Sequence, residues 1–396
     1  MSALEWSFHA LVLAGLLGAL VTVLANLACF DGLRPAPGWA PDAPRVSILV
    51  PARNEAHNLE RCVRSLLSQD YPNWELIVLD DHSSDGTAEI ARGLGLSETG
   101  QRARLLRGAP LPEGWVGKNW ACHQLARAAN GSYLFFTDAD TEHAPGTVSA
   151  AAAYAARNRA DLLSAWPRLI TETWSEKLVL PMILLLGMVL YPHWLVQVCQ
   201  WAPRLSARLP RSWRRALGAA NGQFLFFRRE AYDHIGGHAA VRDHLVEDVA
   251  LGRAIAARMN EGRRLLNCDA LQFSRCRMYR NLAEVWEGFT KNIWAAFEQS
   301  LAGFVVVGVF QAVCFLLPCV LLVLGGITNP MIVAQVTLIY LIRLLLTLRF
   351  RTAWLSWALH PVGETIALAI GLHSWLRSRG GGVRWKGRTY QVASRS

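Results

Sequence analysis

Residues 10–30, ALVLAGLLGALVTVLANLACF, carry no charged side chain. A helix over this stretch is long enough to cross a hydrocarbon core of about 30 Å. A secretory signal peptide is the competing interpretation, but no basic segment precedes the stretch and its apolar length exceeds that of a typical signal peptide. We therefore predict an N-terminal transmembrane helix within residues 1–33.

Three more apolar segments, 301–326, 331–348 and 354–376, predict a C-terminal transmembrane region over residues 300–378. The last of them contains His360, Pro361 and Glu364, and it is our candidate for a re-entrant segment, with Glu364 lining an acceptor cavity as the alternative. Hydrophobic residues make up 52% of the chain and charged residues only 18%, and the apolar residues flank a polar middle. This pattern predicts a multi-pass membrane protein with a soluble domain between its membrane segments.

The net charge of +10 is concentrated near the apolar segments, at 204–215, 343–351 and 377–388. Basic flanks of membrane helices usually lie on the cytoplasmic side, where they also attract anionic lipid headgroups. We expect location in the cell inner (plasma) membrane, with residues 379–396 forming a basic cytosolic tail. No nucleic-acid recognition motif accompanies the charge, so no nucleic-acid partner is expected.

The eight cysteines form no CxxC pair. Their spacing indicates neither a zinc site nor a disulfide framework, and reduced thiols are expected.

The polar middle of the chain alternates apolar runs with helical patterns. After a proline-rich linker (34–44), VSILVPARNE, WELIVLDD (74–81) and YLFFTDAD each predict a buried strand that ends in polar residues, and RLL near 104–106 predicts a shorter strand. A helix is expected from Leu59 to Leu67 with Asn58 as its N-cap, and another from about residue 87. The alternation predicts an α/β domain with a mainly parallel sheet.

Acidic residues collect where these strands end. Ligands of open α/β sheets bind at the carboxyl ends of the strands, which are PARNE, DDHSSD and TDAD in this chain. Alternate residues of an extended segment point the same way, so Asp138 and Asp140 are expected to face one point. Two such carboxylates repel each other unless a cation joins them, and Mg²⁺ or Mn²⁺ combines carboxylates with substrate phosphates. A metal-bridged diphosphate is the favoured interpretation, and a surface turn is the alternative.

Five motifs in this order resemble family 2 glycosyltransferases of the GT-A fold: VSILVPARNE, LIVLDDHSSDGT, GWVGKNWAC, YLFFTDAD and VEDVALG. The resemblance covers roughly residues 45–295 and implies a cytosolic GT-A catalytic domain over 45–275. It implies that Glu55 and Asp81 contact the nucleoside of the donor. The remaining donor-side residues that it implies are Pro51, Ala52 and Arg53 around the nucleoside, Lys118 near the diphosphate, Asp138 at the ribose and metal, and Asp140 on the metal.

The same resemblance implies a general base, Asp248, beside Glu247, and an acceptor-facing segment that contains Asn221 and Gly222. An acidic first helical turn is the structural alternative for the Glu247–Asp248 pair. Relatives often carry a QxxRW motif over the donor diphosphate, whereas this chain has Cys276 in place of the tryptophan. Arg275 or Arg277 is expected to reach the phosphates although the tryptophan that would stack there is missing, and one more basic residue near a membrane surface is the alternative.

The apolar stretch at 178–202 lies between Asp140 and Asp248, which must meet on one side of the membrane. We therefore predict a re-entrant or interfacial segment with breaks at Pro181 and Pro192. Residues 276–298 are predicted to form an interfacial helix, with Trp286 in the acceptor region. A misjudged core helix is the alternative for 178–202.

Together these features resemble bacterial enzymes that glycosylate carotenoids, hopanoids or ceramide-type lipids. We predict an inverting, metal-dependent hexosyltransferase that moves a sugar from a nucleotide diphosphate donor of the UDP-glucose type to a hydroxyl of a membrane lipid. The alternatives are a processive polysaccharide synthase and, in another class, an inactive scaffold or transporter component. A dinucleotide-binding oxidoreductase is disfavoured because no GxGxxG follows the first strand.

Overall fold

The computed structural model describes residues 2–36, 38–379 and 383–390. Its chain divides into two compact units, which are described separately below. The α/β unit comprises Cys29–Ile170 and His193–Met278, and the apolar-helix unit comprises Met1–Ala28, Thr171–Pro192 and Tyr279–Ser396.

The strands and helices alternate through the first half of the chain. The strands are β1 (Val46–Ala52), β2 (Trp74–Asp80), β3 (Ala103–Arg107), β4 (Tyr133–Phe136), β5 (Thr141–His143), β6 (Leu162–Trp166), β7 (Arg168–Leu169), β8 (Leu225–Arg228), β9 (Leu265–Asp269), β10 (Ser274–Cys276), β11 (Val383–Trp385) and β12 (Arg388–Tyr390). The α-helices are α1 (Ala3–Cys29), α2 (Leu59–Leu67), α3 (Thr87–Gly93), α4 (Gly117–Ala128), α5 (Thr147–Asn158), α6 (Trp174–Leu190), α7 (His193–Trp201), α8 (Pro203–Arg208), α9 (Arg211–Ala216), α10 (Arg229–His234), α11 (Glu247–Ala256), α12 (Leu282–Ala296), α13 (Leu301–Phe310), α14 (Leu317–Val323), α15 (Pro330–Phe350), α16 (Trp354–Ala358) and α17 (His360–Arg379). Short 3₁₀ turns cover Gly237–Val241, Met259–Glu261 and Gly326–Thr328, and a π-helical turn covers Gln311–Leu316.

The α/β unit is built on a seven-stranded sheet in the order β3-β2-β1-β4-β8-β6-β9. Its neighbouring strands are parallel except for β8, which runs antiparallel to β4 and to β6. The predicted α/β class with a mainly parallel sheet is therefore confirmed. Because β8 is reversed, the residues before it lie at the same sheet edge as the residues after β4.

Two apolar cores cover the two faces of this sheet. Val46, Ile48 and Val50 of β1 belong to one core, whereas Leu49 belongs to the other. This alternation is the period-two pattern of a strand buried on both faces. Helices α2 and α5 contribute to the first core, and α4 and α11 contribute to the second.

Two local predictions in this unit are corrected. The TDAD segment is not extended: β4 ends at Phe136, a turn contains Ala139 and Asp140, and β5 then pairs with β10 in a separate three-stranded sheet, β5-β10-β7. Asn58 does precede α2, but its side chain makes no capping hydrogen bond and instead donates to Glu55 Oε2 at 2.9 Å. The Asn58 backbone itself lies in the right-handed helical region, whereas a capping residue usually has an extended backbone.

The apolar-helix unit contains long helices with few charges. Among the described residues of both units, four helical segments are long and apolar enough to cross a membrane: Ala3–Cys29, Trp174–Trp201, Leu301–Val323 and Pro330–Phe350. They include the predicted N-terminal segment and two of the three predicted C-terminal segments. The third, 354–376, is divided between α16 and α17 and is not among the four, because it carries polar residues such as His360 and Glu364.

The predicted breaks at Pro181 and Pro192 have different outcomes. Helix α6 continues through Pro181 and ends at Leu190, so Pro181 does not break it, whereas the chain does leave the helix at Tyr191–Pro192. One proline removes only one backbone donor, and neighbouring packing tolerates this loss. Of the predicted basic tail, residues 380–382 and 391–396 lie outside the described residues, and β11 pairs with β12 in a hairpin.

Candidate active site

The loops after β1 and β2 are joined to each other at the carboxyl edge of the sheet. Arg53 donates to the Asp81 carbonyl at 2.5 Å, and the Glu55 amide donates to Thr87 Oγ1 at 2.8 Å. Asn54 and His82 adopt left-handed φ angles of +52° and +57°, an uncommon conformation that a defined loop geometry must maintain. The structure thus brings together the five residues predicted to line the nucleoside pocket: Pro51, Ala52, Arg53, Glu55 and Asp81.

Helix α4 presents Lys118 in its first turn. The next residue, Asn119, is fully buried, and its amide donates to the carbonyls of Val241, Arg242 and His244 at 2.7, 3.2 and 2.9 Å. These contacts hold the start of α4 against the segment that leads into α11. Lys118 is therefore placed beside Glu247, which is a long way from it in the sequence.

Lys118 forms two short ion pairs. Its Nζ lies 2.7 Å from Asp138 Oδ1 and 2.8 Å from Glu247 Oε1. Burial alone would lower the pKa of Lys118, but the attraction of Asp138 and then of Glu247 outweighs this and raises the pKa well above its usual value. The lysine is therefore a fixed positive charge between the DxD segment and the acidic start of α11.

Asp138 and Asp140 lie in the turn between β4 and β5. The Asp138 carbonyl accepts from Thr141 Oγ1 at 2.6 Å, and the Asp138 carboxylate keeps about a quarter of its surface exposed. The Asp140 carbonyl accepts from the Arg277 amide at 3.4 Å, and its carboxylate is hydrogen-bonded to the Cys276 thiol. Turn contacts, rather than strand pleating, thus fix the positions of the two aspartates.

Asp248 lies at the start of α11, beside the turn that precedes β8. Its Oδ2 accepts from the Gly222 amide at 2.7 Å, and its Oδ1 accepts from the Val249 amide at 2.8 Å. Burial, and then repulsion from Glu247, raises the pKa of Asp248 to about 6, although Lys118 and the two amides oppose the shift. Near neutral pH this carboxylate is ionised and close to its pKa, as proton transfer requires.

The predicted arginines are divided between two environments. Arg275 points to the opposite side of β10 from Cys276 and pairs with Glu142, on the rim of a surface cavity of about 740 Å³ that Gln272 and Arg61 also line. Asp138, Asp140 and Asp248 do not line that cavity. The Arg277 backbone amide, by contrast, donates to the Asp140 carbonyl. Of the two arginines, Arg277 is therefore the one whose backbone contacts the DxD turn.

Trp286 belongs to α12 in the apolar-helix unit. Its indole nitrogen donates to His373 Nδ1 of α17 at 2.8 Å. Helix α12 is capped by Asn281, whose side chain accepts from the Glu284 amide. The structure thus places Trp286 in a helix–helix contact within its own unit, and its acceptor role stays a prediction.

Comparison with known proteins agrees with this architecture. Residues 47–236 match the model of glycosyl transferase family 2, and residues 212–396 match that of glycosyl transferase family 21. Residues 47–236 are a glycosyl transferase family 2 domain. The edge that holds Asp81, Lys118, Asp138 and Asn221 lies within this family 2 domain, whereas Asp248 follows it.

A curated relative is similar over most of the chain. The 4,4'-diaponeurosporenoate glycosyltransferase of Staphylococcus aureus is 25% identical over 363 residues, which cover 88% of each protein. Among solved structures, a mannosyltransferase from Pyrobaculum calidifontis in complex with GDP-Man and Mn²⁺ superposes with a TM-score of 0.52 and 19% identity. That alignment covers 94% of this chain and 97% of the other, and it shows a GT-A-like fold for the family 2 domain.

Three residues that organise the site were not predicted from the sequence. Asn119 fixes α4, Gln223 joins the turn before β8 to Cys276, and Cys276 contacts Asp140. Asn119 and Gln223 each lie next to a predicted residue, in GKNWAC and in NGQF. That adjacency was the available signal, but neither side chain carries a charge that would have drawn notice.

Proposed function

We propose that the protein is an inverting glycosyltransferase that moves a hexose from a nucleotide diphosphate sugar, of the UDP-glucose type, to a hydroxyl of a membrane lipid. The observation that carries this proposal is the bridge formed by Lys118 between Asp138 and Glu247. It links the donor-side carboxylates to the carboxylate pair that contains Asp248, the proposed base. A transfer site requires these two functions side by side.

Mg²⁺ or Mn²⁺ is the proposed cofactor. Within the described residues, no group of three or more His, Cys, Asp or Glu side chains could hold a metal ion. Asp138 and Asp140 supply two carboxylates on one turn, which fits a hard cation whose other ligands are water and diphosphate oxygens. A bound cation would stabilise negative charge on the leaving diphosphate. The residues present fit this role with Asp140 as the principal ligand.

The chain's own residues account for the remaining chemistry. Asp248 accepts the proton of the acceptor hydroxyl as the hydroxyl oxygen bonds to the anomeric carbon. The bond from that carbon to the diphosphate breaks, and the nucleoside diphosphate leaves with the electron pair. Because attack comes from the side opposite the leaving group, the anomeric configuration is inverted. Lys118 keeps a positive charge beside Asp138, and Arg277 is the proposed second cation at the phosphates.

The lipid acceptor is supported by the relative and by the apolar helices. The relative's name gives it a carotenoid carboxylate as acceptor, and four segments of this chain are long and apolar enough to cross a membrane. We propose that the α/β unit is cytosolic, that 178–202 is interfacial or re-entrant, and that Asn221, Gly222 and Trp286 contact the acceptor. A carboxylate acceptor would already be ionised and would not need a base. The proposal that Asp248 acts as a base therefore goes together with a hydroxyl acceptor.

Calorimetric titration with UDP and Mn²⁺ tests the assignments of metal and base. Asp140→Ala should abolish metal-dependent UDP binding, whereas Asp248→Asn should bind UDP nearly as the native protein does and lose transfer by roughly 10²–10⁴-fold. Asp233→Asn, on an exposed position of α10, is the matched control and should change neither. Undiminished binding by Asp140→Ala would contradict the metal site.

The acceptor requires a separate experiment. Mass spectrometry of membrane lipids from cells with and without the gene should reveal one glycolipid that depends on it. A new polymer with an unchanged glycolipid profile would favour a processive polysaccharide synthase. If loss of the gene changes neither the lipids nor the polymers, and the purified protein binds no UDP, the protein would be an inactive scaffold or transporter component.

A further inference from the structure

Cys276 stands where relatives often have the tryptophan of QxxRW, and in this structure it contacts the proposed metal ligand. In the register of β10 with β5, Cys276 lies opposite Thr141, the residue after Asp140. Its thiol is hydrogen-bonded to the Asp140 carboxylate. A thiol group donates through its S–H and accepts through its sulfur.

A second residue contacts the same sulfur. Gln223 is almost fully buried, and its side-chain nitrogen donates to Cys276 Sγ at 2.9 Å. The backbone carbonyl of Gln223 accepts from Oγ1 of Thr137, the residue before Asp138, at 2.8 Å. The backbone amide of Gln223 donates to Asn221 Oδ1 at 3.1 Å. Gln223 is therefore held on both sides and has little freedom to move.

The turn that contains Gln223 also holds the proposed base. Gly222 donates to Asp248 Oδ2 at 2.7 Å, and a Cβ atom at position 222 would lie only 3.0 Å from that oxygen. One short turn, Asn221–Gln223, thus contacts Asp248 directly and reaches Asp140 through Cys276. Buried, hydrogen-bonded side chains of this kind fix the orientation of the groups that they contact.

We propose that Gln223 and Cys276 are positioning residues, which orient Asp140 toward the metal and set its place relative to Asp248. This inference rests on the proposed function. The Cys276 thiol thereby supports Asp140, the proposed metal ligand, through a hydrogen bond. A continuous series of hydrogen bonds therefore ends at the proposed metal site. It runs from the Gln223 side-chain amide to the Cys276 thiol and from there to the Asp140 carboxylate.

Mn²⁺ binding in the presence of UDP, followed by the electron paramagnetic resonance signal of free Mn²⁺, is the test. Cys276→Ala and Gln223→Met should weaken Mn²⁺ binding about 10–100-fold, the usual effect of removing a hydrogen-bonding partner of a metal ligand. Cys276→Ser keeps a donor and an acceptor at this position and should restore most of the affinity. Cys268→Ala, which removes an equally buried thiol from β9, is the matched control and should leave Mn²⁺ affinity unchanged.

Two results would overturn the inference. If Cys276→Ala and Cys276→Ser bind Mn²⁺ and UDP equally well, the thiol has only a packing role. If Gln223→Met binds as the native protein does, the series of hydrogen bonds does not act on Asp140. In both cases Asp140→Ala would still lose binding, so the metal site itself would stand. If the native protein binds no Mn²⁺ with UDP, the proposed function and this inference fail together.

Discussion

Lys118 in the α/β unit and Arg343 in the apolar-helix unit are two cations that are stabilised in different ways. Lys118 in the α/β unit pairs with two carboxylates, and about a third of its side chain is exposed. Arg343 in the apolar-helix unit is almost fully buried, and it donates to the carbonyls of Pro181 and Ser356 at 3.2 Å and to Ser356 Oγ at 2.6 Å. The lysine therefore balances formal charges, whereas the arginine satisfies neutral backbone groups.

The acidic residues of the two clusters differ in the same way. Asp138 and Asp248 accept hydrogen bonds or ion pairs at short distance. Glu364 in α17 is completely buried, and neither of its carboxylate oxygens accepts a hydrogen bond from any residue that the structure describes. The first cluster can exchange its internal ion pairs for those of a charged ligand. The second has no exposed side and is expected to serve the fold, so variants in the two clusters should separate reaction from stability.

Arg343→Met should give the largest effect on stability. Removing one partner of a buried charge cluster costs about 3–5 kcal/mol, because the groups left behind lose their compensation. Thermal unfolding of the detergent-purified protein measures this. Arg349→Met on the same helix, where the guanidinium lies over the Phe350 ring at 5.6 Å, is the matched control and should cost less than about 1 kcal/mol. Equal melting temperatures for the two variants would contradict a structural role for Arg343.

Lys118→Met should give the opposite profile. Transfer should fall roughly 100-fold, because a preorganised positive charge is lost beside the donor carboxylates, while the melting temperature stays within a few degrees of native. Arg127→Met, at an exposed position near the other end of α4, controls for loss of charge on this helix. A loss of stability as large as that of Arg343→Met, with normal transfer by the remaining folded protein, would remove the distinction between the clusters.

The dependence of transfer on pH sharpens the interpretation of the first cluster. Asp248 has a raised pKa of about 6, so below this pH the carboxyl is protonated and unable to accept the acceptor's proton. The catalytic rate at saturating donor should therefore fall about tenfold per pH unit below the midpoint. Lys118 favours the ionised form of Asp248, so Lys118→Met should move the midpoint to higher pH. A rate that stays flat from pH 8 to pH 5, with UDP binding intact, would exclude Asp248 as the base.

Glu364→Gln should give the smallest effect, below about 1 kcal/mol in thermal unfolding, because no hydrogen bond from a described residue is lost. The double variant Arg343→Met/Glu364→Gln is the informative companion. If an uncompensated Glu364 charge causes the cost of Arg343→Met, the double variant should recover part of it. Recovery would indicate a charge pair, and absence of recovery would assign the cost to the carbonyls of Pro181 and Ser356.

The sequence was sufficient for β1 to β4 of the large sheet and for the candidate site residues, whereas β6, β9 and the reversed strand β8 were not predicted. Long apolar runs that end in polar residues, such as VSILVPARNE, are typical of parallel strands buried on both faces. The three-residue strands β5 and β10 were missed because so few residues show no alternation, and these strands form by pairing in a small sheet with β7. The same pairing turns Asp138 and Asp140 away from an extended geometry.

The contacts between distant segments could not be predicted. Lys118 was expected near the diphosphate, and its contact with Glu247 depends on Asn119 binding carbonyls more than a hundred residues away. The continuity of α6 through Pro181 likewise depends on packing in the apolar-helix unit and not on local preference. Local patterns therefore predicted elements and candidate residues, whereas side-chain to backbone contacts determined how the candidates meet.

The reversed direction of β8 has a consequence for variation among such enzymes. Because Ser164 of β6 pairs with Leu225 of β8, the chain leaves the sheet after Trp166 and returns beside its point of departure. The segment that joins β6 to β8 therefore connects two neighbouring antiparallel strands, as the loop of a hairpin does. Lengthening such a loop costs only about 0.6 kcal/mol per doubling. A change in the length of this segment therefore need not change the register of the donor-side strands β1, β2 and β4.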